Sequence, residues 1–113
     1  MQLPRPRPWQ ILIALAGAAA LVGLDRAWAP RDIEINHAYR GTAYGARTAE
    51  SDAAIRLLAR TEGILVDPVY SGKALAGLID GARRAPTSEL VFWHTGGVPA
   101  LFDPRYGDPL VRR

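Results

Sequence analysis

Residues 62–79 read EGILVDPVYSGKALAGLI, and the order of residue types in this stretch decides the predicted fold. The apolar run at 64–66 meets a breaker pair, Asp and Pro, at 67–68, which is typical of a short strand buried on both faces. Ser71 and Gly72 then precede a helix that we predict to run to about Arg84. The apolar stripe of this helix comprises Leu75, Leu78, Ile79 and Ala82.

The flanking sequence repeats the same alternation of strand and helix patterns. Residues 32–36 alternate polar and β-branched side chains, and residues 89–93 form another largely apolar run, so both are predicted strands. Between these two segments, Thr48 caps a helix that Gly63 ends. After the second of them, a short helix is predicted near 98–102. Alternation of this kind predicts an α/β fold, a parallel sheet with flanking helices.

Loops at the carboxyl ends of such strands are where open parallel sheets bind ligands. By position, the predicted loops are 39–45, 67–73 and 94–97. The first two carry Tyr44 and Tyr70, whose phenols can transfer protons if a cation or cofactor lowers their pKa. The alternative is that both tyrosines simply fill space in the wall of the fold.

Charge and composition exclude several classes of protein. The net charge is +3 and the isoelectric point is near 9.8, but the excess arginines lie mainly at the two ends of the chain. No basic stripe with interleaved aromatic residues appears, so we do not expect nucleic-acid binding. The sequence has no cysteine, which excludes disulfides and thiolate metal sites.

A metal site built on histidine is not expected either. His37 and His94 are the only histidines, and their spacing with Asp67 matches no common ligand pattern. We predict instead that His94 ends a buried strand and hydrogen-bonds the backbone.

The N-terminal apolar run has two interpretations. Basic residues precede the run at 9–24, and Ala27-Trp28-Ala29 provides an A-x-A pattern, as in a secretory signal. The same run has helical spacing and small residues, as in a buried helix of an enzyme. A mature N-terminus at Pro30 would favour export.

Three segments resemble one family of pyridoxal-phosphate (PLP) enzymes. Residues 62–79 are similar to its E-G-I-L-L-D-P-V-Y-[TSE]-G-K-A stretch, and residues 92–102, FWHTGGVPALF, resemble its H-[TL]-G-G-x-P-A-L-[FN] block. Tyr44-Gly45 stands where the family has an upstream Y-G. A fainter likeness reaches back to the helix at 11–24, which favours the interpretation of residues 1–30 as a buried helix and turn. The family contains D-cysteine desulfhydrase and 1-aminocyclopropane-1-carboxylate deaminase.

The resemblance implies a fold-type II PLP enzyme, with residues 1–113 forming its C-terminal part. It implies that Tyr70 and Tyr44 line the substrate face of the cofactor, with Tyr70 the better candidate for proton transfer. Thr95 would lie near the pyridine nitrogen. The implied cofactor-binding residues are Ser71, Thr95, Gly96 and Gly97.

The implied reaction converts D-cysteine to pyruvate, hydrogen sulfide and ammonia. Deaminase members tend to carry Glu at the position of Ser71 and Leu at that of Thr95, so the pair here favours the desulfhydrase, with the deaminase as the alternative. The family's Schiff-base lysine and phosphate loop lie upstream of every matching segment, so we expect a fragment that is inactive alone. We expect the intact enzyme to be a cytoplasmic homodimer that acts on a small amino acid. The alternative from another class is a small exported protein without catalysis.

Overall fold

The computed structural model describes residues 8–111, which fall into two compact units, 8–36 and 37–111. The first unit holds helix α1, Pro8–Leu21, and a 3-10 turn, Pro30–Asp32. The second holds α2, Ala49–Glu62, α3, Ser71–Arg84, a 3-10 helix, Val98–Phe102, and α4, Pro104–Val111. 

The first unit is a helix followed by an irregular segment and a capped turn. Ala19 is the one buried apolar residue of α1 among those described, whereas Ile13 is 64% exposed and Leu21 is 90% exposed. The Arg26 guanidinium lies 4.1 Å from the centre of the Trp28 ring. The predicted helix is therefore present. Its proposed roles, as a buried part of a larger domain or as an export signal, stay predictions.

The length and apolar content needed to cross a membrane are not met by any helix within residues 8–111.

Helix α2 forms where the sequence places its boundary signals. The Thr48 hydroxyl accepts a hydrogen bond from the Ser51 amide at 3.1 Å, which satisfies one of the free N–H groups of the first turn. Gly63 ends the helix with a φ of +68°, a left-handed conformation that glycine adopts without steric cost. The predicted bounds of this helix are thus confirmed.

The core of the second unit lies where α2 and α3 face each other across the turn that joins them. Its buried apolar side chains are Ala54, Ile55, Val66, Leu75 and Ala76. Three residues of the predicted stripe of α3, Leu75, Leu78 and Ile79, lie in this core or pack against it. Side chains at i, i+3 and i+4 share one helix face, so the stripe faces α2.

The α/β fold predicted from the sequence is wrong for this structure. Residues 8–111 contain no strand and no sheet; they are helical with irregular connections. The segments 32–36, 64–66 and 89–93 are those predicted as strands. A strand needs a neighbour to take up its backbone N–H and C=O groups, and these short segments form no such ladder with one another.

Most side chains of the predicted strands are also more exposed than the sequence predicted. Val66 is fully buried, but Ile64 and Leu65 are 46% and 49% exposed, and Val91 and Trp93 are 87% and 81% exposed. Burial on both faces, which the apolar runs predicted, therefore holds for Val66 only. An apolar run states a preference for burial, and here no second layer of structure covers it.

Helix α4 was not predicted, and it is held to the rest of its unit by hydrogen bonds. The Arg56 guanidinium, on α2, donates to the carbonyl oxygens of Leu110 at 3.2 Å and Pro109 at 2.9 Å. These bonds satisfy carbonyl groups at the C-terminal end of α4, where no intrahelical partner exists. The contact fixes α4 near α2.

Candidate functional site

The turn between Val66 and α3 is organised by one buried carboxylate. Asp67 is fully buried; its Oδ2 accepts the amides of Val69 and Tyr70, each at 2.8 Å, and its Oδ1 accepts that of Ser71 at 3.0 Å. Burial by itself would raise the pKa of Asp67, but these amide donors outweigh it, so the pKa lies below its ordinary value. The charged carboxylate therefore fixes the backbone that carries Tyr70.

The phenols of Tyr44 and Tyr70 meet, although they come from different loops. Their hydroxyl groups share a hydrogen bond in which either can be the donor, and the rings stand edge to face with centroids 5.9 Å apart. Both rings are also open to solvent, Tyr44 being 60% and Tyr70 57% exposed. The bond to Tyr44, followed by partial desolvation, raises the pKa of Tyr70, so in this chain Tyr70 holds its proton more tightly than an ordinary tyrosine.

A second pair of loops is joined beside the phenols. The Ser71 hydroxyl donates to the carbonyl oxygen of Gly96 at 3.0 Å. Gly96 and Gly97 have φ values of +103° and +94°, which only glycine adopts readily. The turn at 94–97 is thereby held against the start of α3, and Thr95, which is exposed, is carried on it.

Gly97 lies directly on the Asp67 carboxylate. A Cβ atom at residue 97 would fall 2.4 Å from Oδ1 of Asp67, whereas a Cβ at Gly96 would meet no atom within 4 Å. Gly97 is thus required by a close approach of the backbone, whereas the space beside Gly96 is open.

Lys73 ties the remaining loop to α3. Its ammonium donates to the carbonyl oxygen of Arg40 at 2.7 Å, and the residue is only 8% exposed. Burial lowers the pKa of Lys73, and the charge of Asp67 acts in the opposite direction. Lys73 thus holds the loop of Tyr44 against α3. It is the only lysine of the chain, so no free lysine is left among the loops.

His94 links two segments that were predicted as strands. Its Nδ1 accepts the amide of Gly96 at 3.0 Å, and its Nε2 lies 2.9 Å from the carbonyl oxygen of Leu65. Because Nδ1 accepts, Nε2 carries the proton and donates to Leu65. The predicted bonding of His94 to the backbone is confirmed, but its predicted place at the end of a buried strand is wrong. In the described part of the chain, no three His, Asp or Glu side chains form a group that could hold a metal ion.

A separate groove of about 470 Å³ lies between α2 and α3 and contains none of the predicted site residues. The Tyr39 hydroxyl donates to the Asp80 carboxylate at its rim. That bond raises the pKa of Tyr39 and lowers that of Asp80. The groove is lined by Tyr39, Glu50, Ala53, Ala54, Leu57, Ala76, Ile79, Asp80 and Arg83.

The structure therefore brings four of the six predicted site residues together in two pairs, while Gly97 lies against Asp67 and Thr95 is exposed. Tyr44 contacts Tyr70, and Ser71 contacts Gly96. Sequence reasoning missed the structural roles of Asp67 and Lys73. For Asp67 a signal was present, because this charged residue directly follows an apolar run. It also missed Tyr106, whose hydroxyl would lie 2.7 Å from a Cβ at Gly45, next to Tyr44.

Comparison with known proteins identifies the same family as the sequence motifs. The family described as pyridoxal-phosphate dependent enzyme matches residues 10–96. D-cysteine desulfhydrase from Yersinia enterocolitica is 51% identical over 65% of this chain and 23% of its own length. The enzyme of that name from Serratia proteamaculans is 48% identical over 86% of this chain and 28% of its own length.

A relative with the second name is nearly as similar. The 1-aminocyclopropane-1-carboxylate deaminase of Burkholderia vietnamiensis is 46% identical over 74% of this chain and 25% of its own length. The chain thus spans about a quarter of the length of the curated relatives it matches.

Proposed function

This chain belongs to the family of pyridoxal-phosphate-dependent enzymes, and we propose that it supplies one wall of the active site of a carbon–sulfur lyase that acts on D-cysteine. The contact between the Tyr44 and Tyr70 phenols carries the proposal, because it brings two proton-transfer groups from separate loops to one solvent-facing point. Relatives named D-cysteine desulfhydrase support this substrate.

The residues present fit a flat aromatic cofactor. The space beside Gly96 is open and the hydroxyl-bearing side chain of Thr95 is exposed, and the hydrogen bond from Ser71 to Gly96 joins their turn to the residue that follows Tyr70. Ser71, Thr95, Gly96 and Gly97 would hold PLP, which when bound supplies an electron sink for loss of a proton from the substrate carbon.

Three side chains of this chain would then have different roles. Tyr70 would exchange a proton with the substrate, and Tyr44 would orient the phenol of Tyr70 through their hydrogen bond. The pKa of Tyr70 is raised in the chain, so the phenol carries its proton; proton transfer to and from it requires a positive charge nearby that lowers this pKa. The Thr95 hydroxyl would hydrogen-bond the pyridine nitrogen without protonating it fully.

The intact protein is proposed to work in the cytoplasm as a homodimer. The deaminase activity is the second candidate, favoured by the match to the Burkholderia enzyme, whereas Ser71 and Thr95 favour the desulfhydrase.

A chimaera tests the proposed activity. The chain replaces the matching quarter of the Yersinia enterocolitica desulfhydrase, and sulfide release from D-cysteine is measured beside ammonia release from 1-aminocyclopropane-1-carboxylate. We expect sulfide release, and we expect Tyr70→Phe to lower its rate by about 10²- to 10⁴-fold, the range for a lost acid–base group. Tyr39→Phe is the matched control, since this phenol bonds Asp80 in the separate groove.

Two substitutions separate the candidate substrates. Ser71→Glu combined with Thr95→Leu should shift the ratio of activities towards ammonia release from the cyclopropane substrate. A folded chimaera that binds PLP but releases no sulfide from D-cysteine would contradict the proposed activity, as would a Tyr70→Phe variant with an unchanged rate.

A further inference from the structure

Asp67 is a buried charge without a cationic hydrogen-bond partner in its turn. The carboxylate accepts three hydrogen bonds in this turn, one from the backbone amide of each of residues 69–71. A carboxylate offers two oxygens that only accept, so it can satisfy all three donors at once. The backbone of Tyr70 and Ser71 is held from within the protein by this one side chain.

The same carboxylate also sets the position of the neighbouring turn. The backbone at Gly97 approaches Oδ1 so closely that a Cβ there would lie 2.4 Å from this oxygen and 2.6 Å from Cγ. The hydrogen bond from Ser71 to the Gly96 carbonyl fastens the turn on its other side. The Asp67 carboxylate therefore contacts both the turn that carries Tyr70 and the turn that carries Thr95.

We propose that Asp67 is the positioning residue of this site, aligning the Tyr70 phenol with the turn that carries Thr95. The inference rests on the function proposed above and extends it to a residue that is fully buried. An amide cannot replace the carboxylate, because its NH₂ group would face one of the backbone N–H donors. Asp67→Asn would leave that donor unsatisfied in a buried turn.

The first experiment uses the full chain and does not depend on activity. Amide NMR spectra and a phenol titration are recorded for the parent chain, for Asp67→Asn and for Asp32→Asn. Asp32 is the matched control because its carboxylate also accepts a backbone amide, that of Ala29 at 2.8 Å, within the other unit.

We expect Asp67→Asn to shift the amide signals of residues 69–71 and 95–97 and to return the pKa of Tyr70 towards about 10, the ordinary tyrosine value. Ala54 and Ile55 should keep their amide protection, and Asp32→Asn should change none of these signals. Unchanged signals at 69–71 and 95–97 would overturn the proposal whatever the chimaera does.

The second experiment is a double-mutant cycle in the chimaera. Displacement of a proton-transfer group by about 1 Å costs roughly a hundredfold in rate, so Asp67→Asn should lower kcat by about that factor, with a much smaller change in KM. In a Tyr70→Phe background the same substitution should cost little, because the phenol through which it acts is absent. An equal loss of kcat in both backgrounds would show that Asp67 does not act through Tyr70 and would overturn the proposal.

A variant that keeps the carboxylate covers the case in which Asp67→Asn unfolds the chain. Gly97→Ala presses a methyl group against Oδ1 and should shift the amides of residues 69–71 as well as its own turn. Shifts confined to 95–97 would contradict the proposal. A parent chimaera without activity would contradict the proposed function, and the spectra of the chain would still decide whether Asp67 sets both turns.

Discussion

Helices α1 and α2 have the same length, fourteen residues each, but they are stabilised in different ways. Helix α1 is apolar on all sides, with no acidic residue in its first turn and no basic residue in its last. Helix α2 has Glu50 and Asp52 in its first turn and Arg60 in its last, which complement the helix dipole. It also has an N-terminal hydroxyl cap and a C-terminal glycine.

The two helices differ as much in what they bury. In the described part of the chain, α1 buries one small side chain, Ala19, while α2 places Ala54 and Ile55 in the core against α3. Most of the stability of a helix in a protein comes from packing one apolar face. An apolar sequence therefore does not by itself create a core; a partner surface has to cover it.

The largest expected effect on stability comes from replacing an isoleucine by alanine, and it should differ between the two helices. Ile55→Ala removes a side chain that is 4% exposed in the core of α2 and α3, and it should lower the free energy of unfolding by about 2–5 kcal/mol. Ile13→Ala, at a residue of α1 that is 64% exposed, should change it by less than about 0.5 kcal/mol. Urea unfolding of both variants measures the difference, and equal effects would contradict the comparison.

Glycine substitutions should act in opposite directions in the two helices. Gly63→Ala places a side chain at a φ of +68° and should destabilise α2 by about 1 kcal/mol. Gly17→Ala, where a Cβ meets no atom within 4 Å, should favour α1 by about 0.5–1 kcal/mol, because alanine loses less backbone entropy in a helix. Urea unfolding and helical circular dichroism are the measurements. A stabilising Gly63→Ala would show that the end of α2 is not fixed by its left-handed residue.

Removing the cap of α2 should have a similar but local effect. Thr48→Ala leaves the Ser51 amide without its acceptor and should cost about 1 kcal/mol, seen as faster hydrogen exchange in the first turn. Thr48→Ser keeps the hydroxyl and should restore the parent behaviour. If Thr48→Ser behaved like Thr48→Ala, the methyl group and not the hydrogen bond would be the stabilising part.

The smallest effect is expected from an exposed ion pair in acid. The hydrogen bonds and charge of Arg105 lower the pKa of Asp103 from 3.8 to about 2. The folded state thus favours the ionised form, and its stabilisation is complete above the unfolded value and disappears as the pH falls through about 2. The midpoint difference between the parent chain and Asp103→Asn should be small at pH 7, because the pair is exposed, and should vanish by about pH 2. A difference that grows in acid would contradict this assignment.

The helices of the second unit could be predicted because their signals are local. Thr48 and Gly63 mark the ends of α2 within a few residues of the groups they satisfy, and the stripe of α3 needs only helical spacing. Strands differ, because their hydrogen bonds go to another segment of the chain. Residues 64–66 and 89–93 have the composition of strands, and nothing local reports whether a partner is present.

In the candidate site, too, local features could be predicted and contacts between distant segments could not. The motifs pointed to Tyr44, Tyr70, Ser71 and the glycines of 95–97, and these residues do lie on loops that meet. The amide bonds of Asp67 are local and follow from an acidic residue before a turn. Its contact with Gly97 and the bond of Lys73 to Arg40 join distant parts of the sequence, so no spacing rule could have found them.

The sequence by itself determined where α2 begins and ends, which residues form the apolar stripe of α3 and which family the chain belongs to, because caps, helical stripes and short motifs depend only on neighbouring residues. Tertiary structure alone decided that the apolar runs form no sheet, that the two phenols touch, and that Gly97 rests on a buried carboxylate. The physical reason is that such contacts join segments far apart in the chain, and their formation depends on which surfaces the rest of the fold brings together.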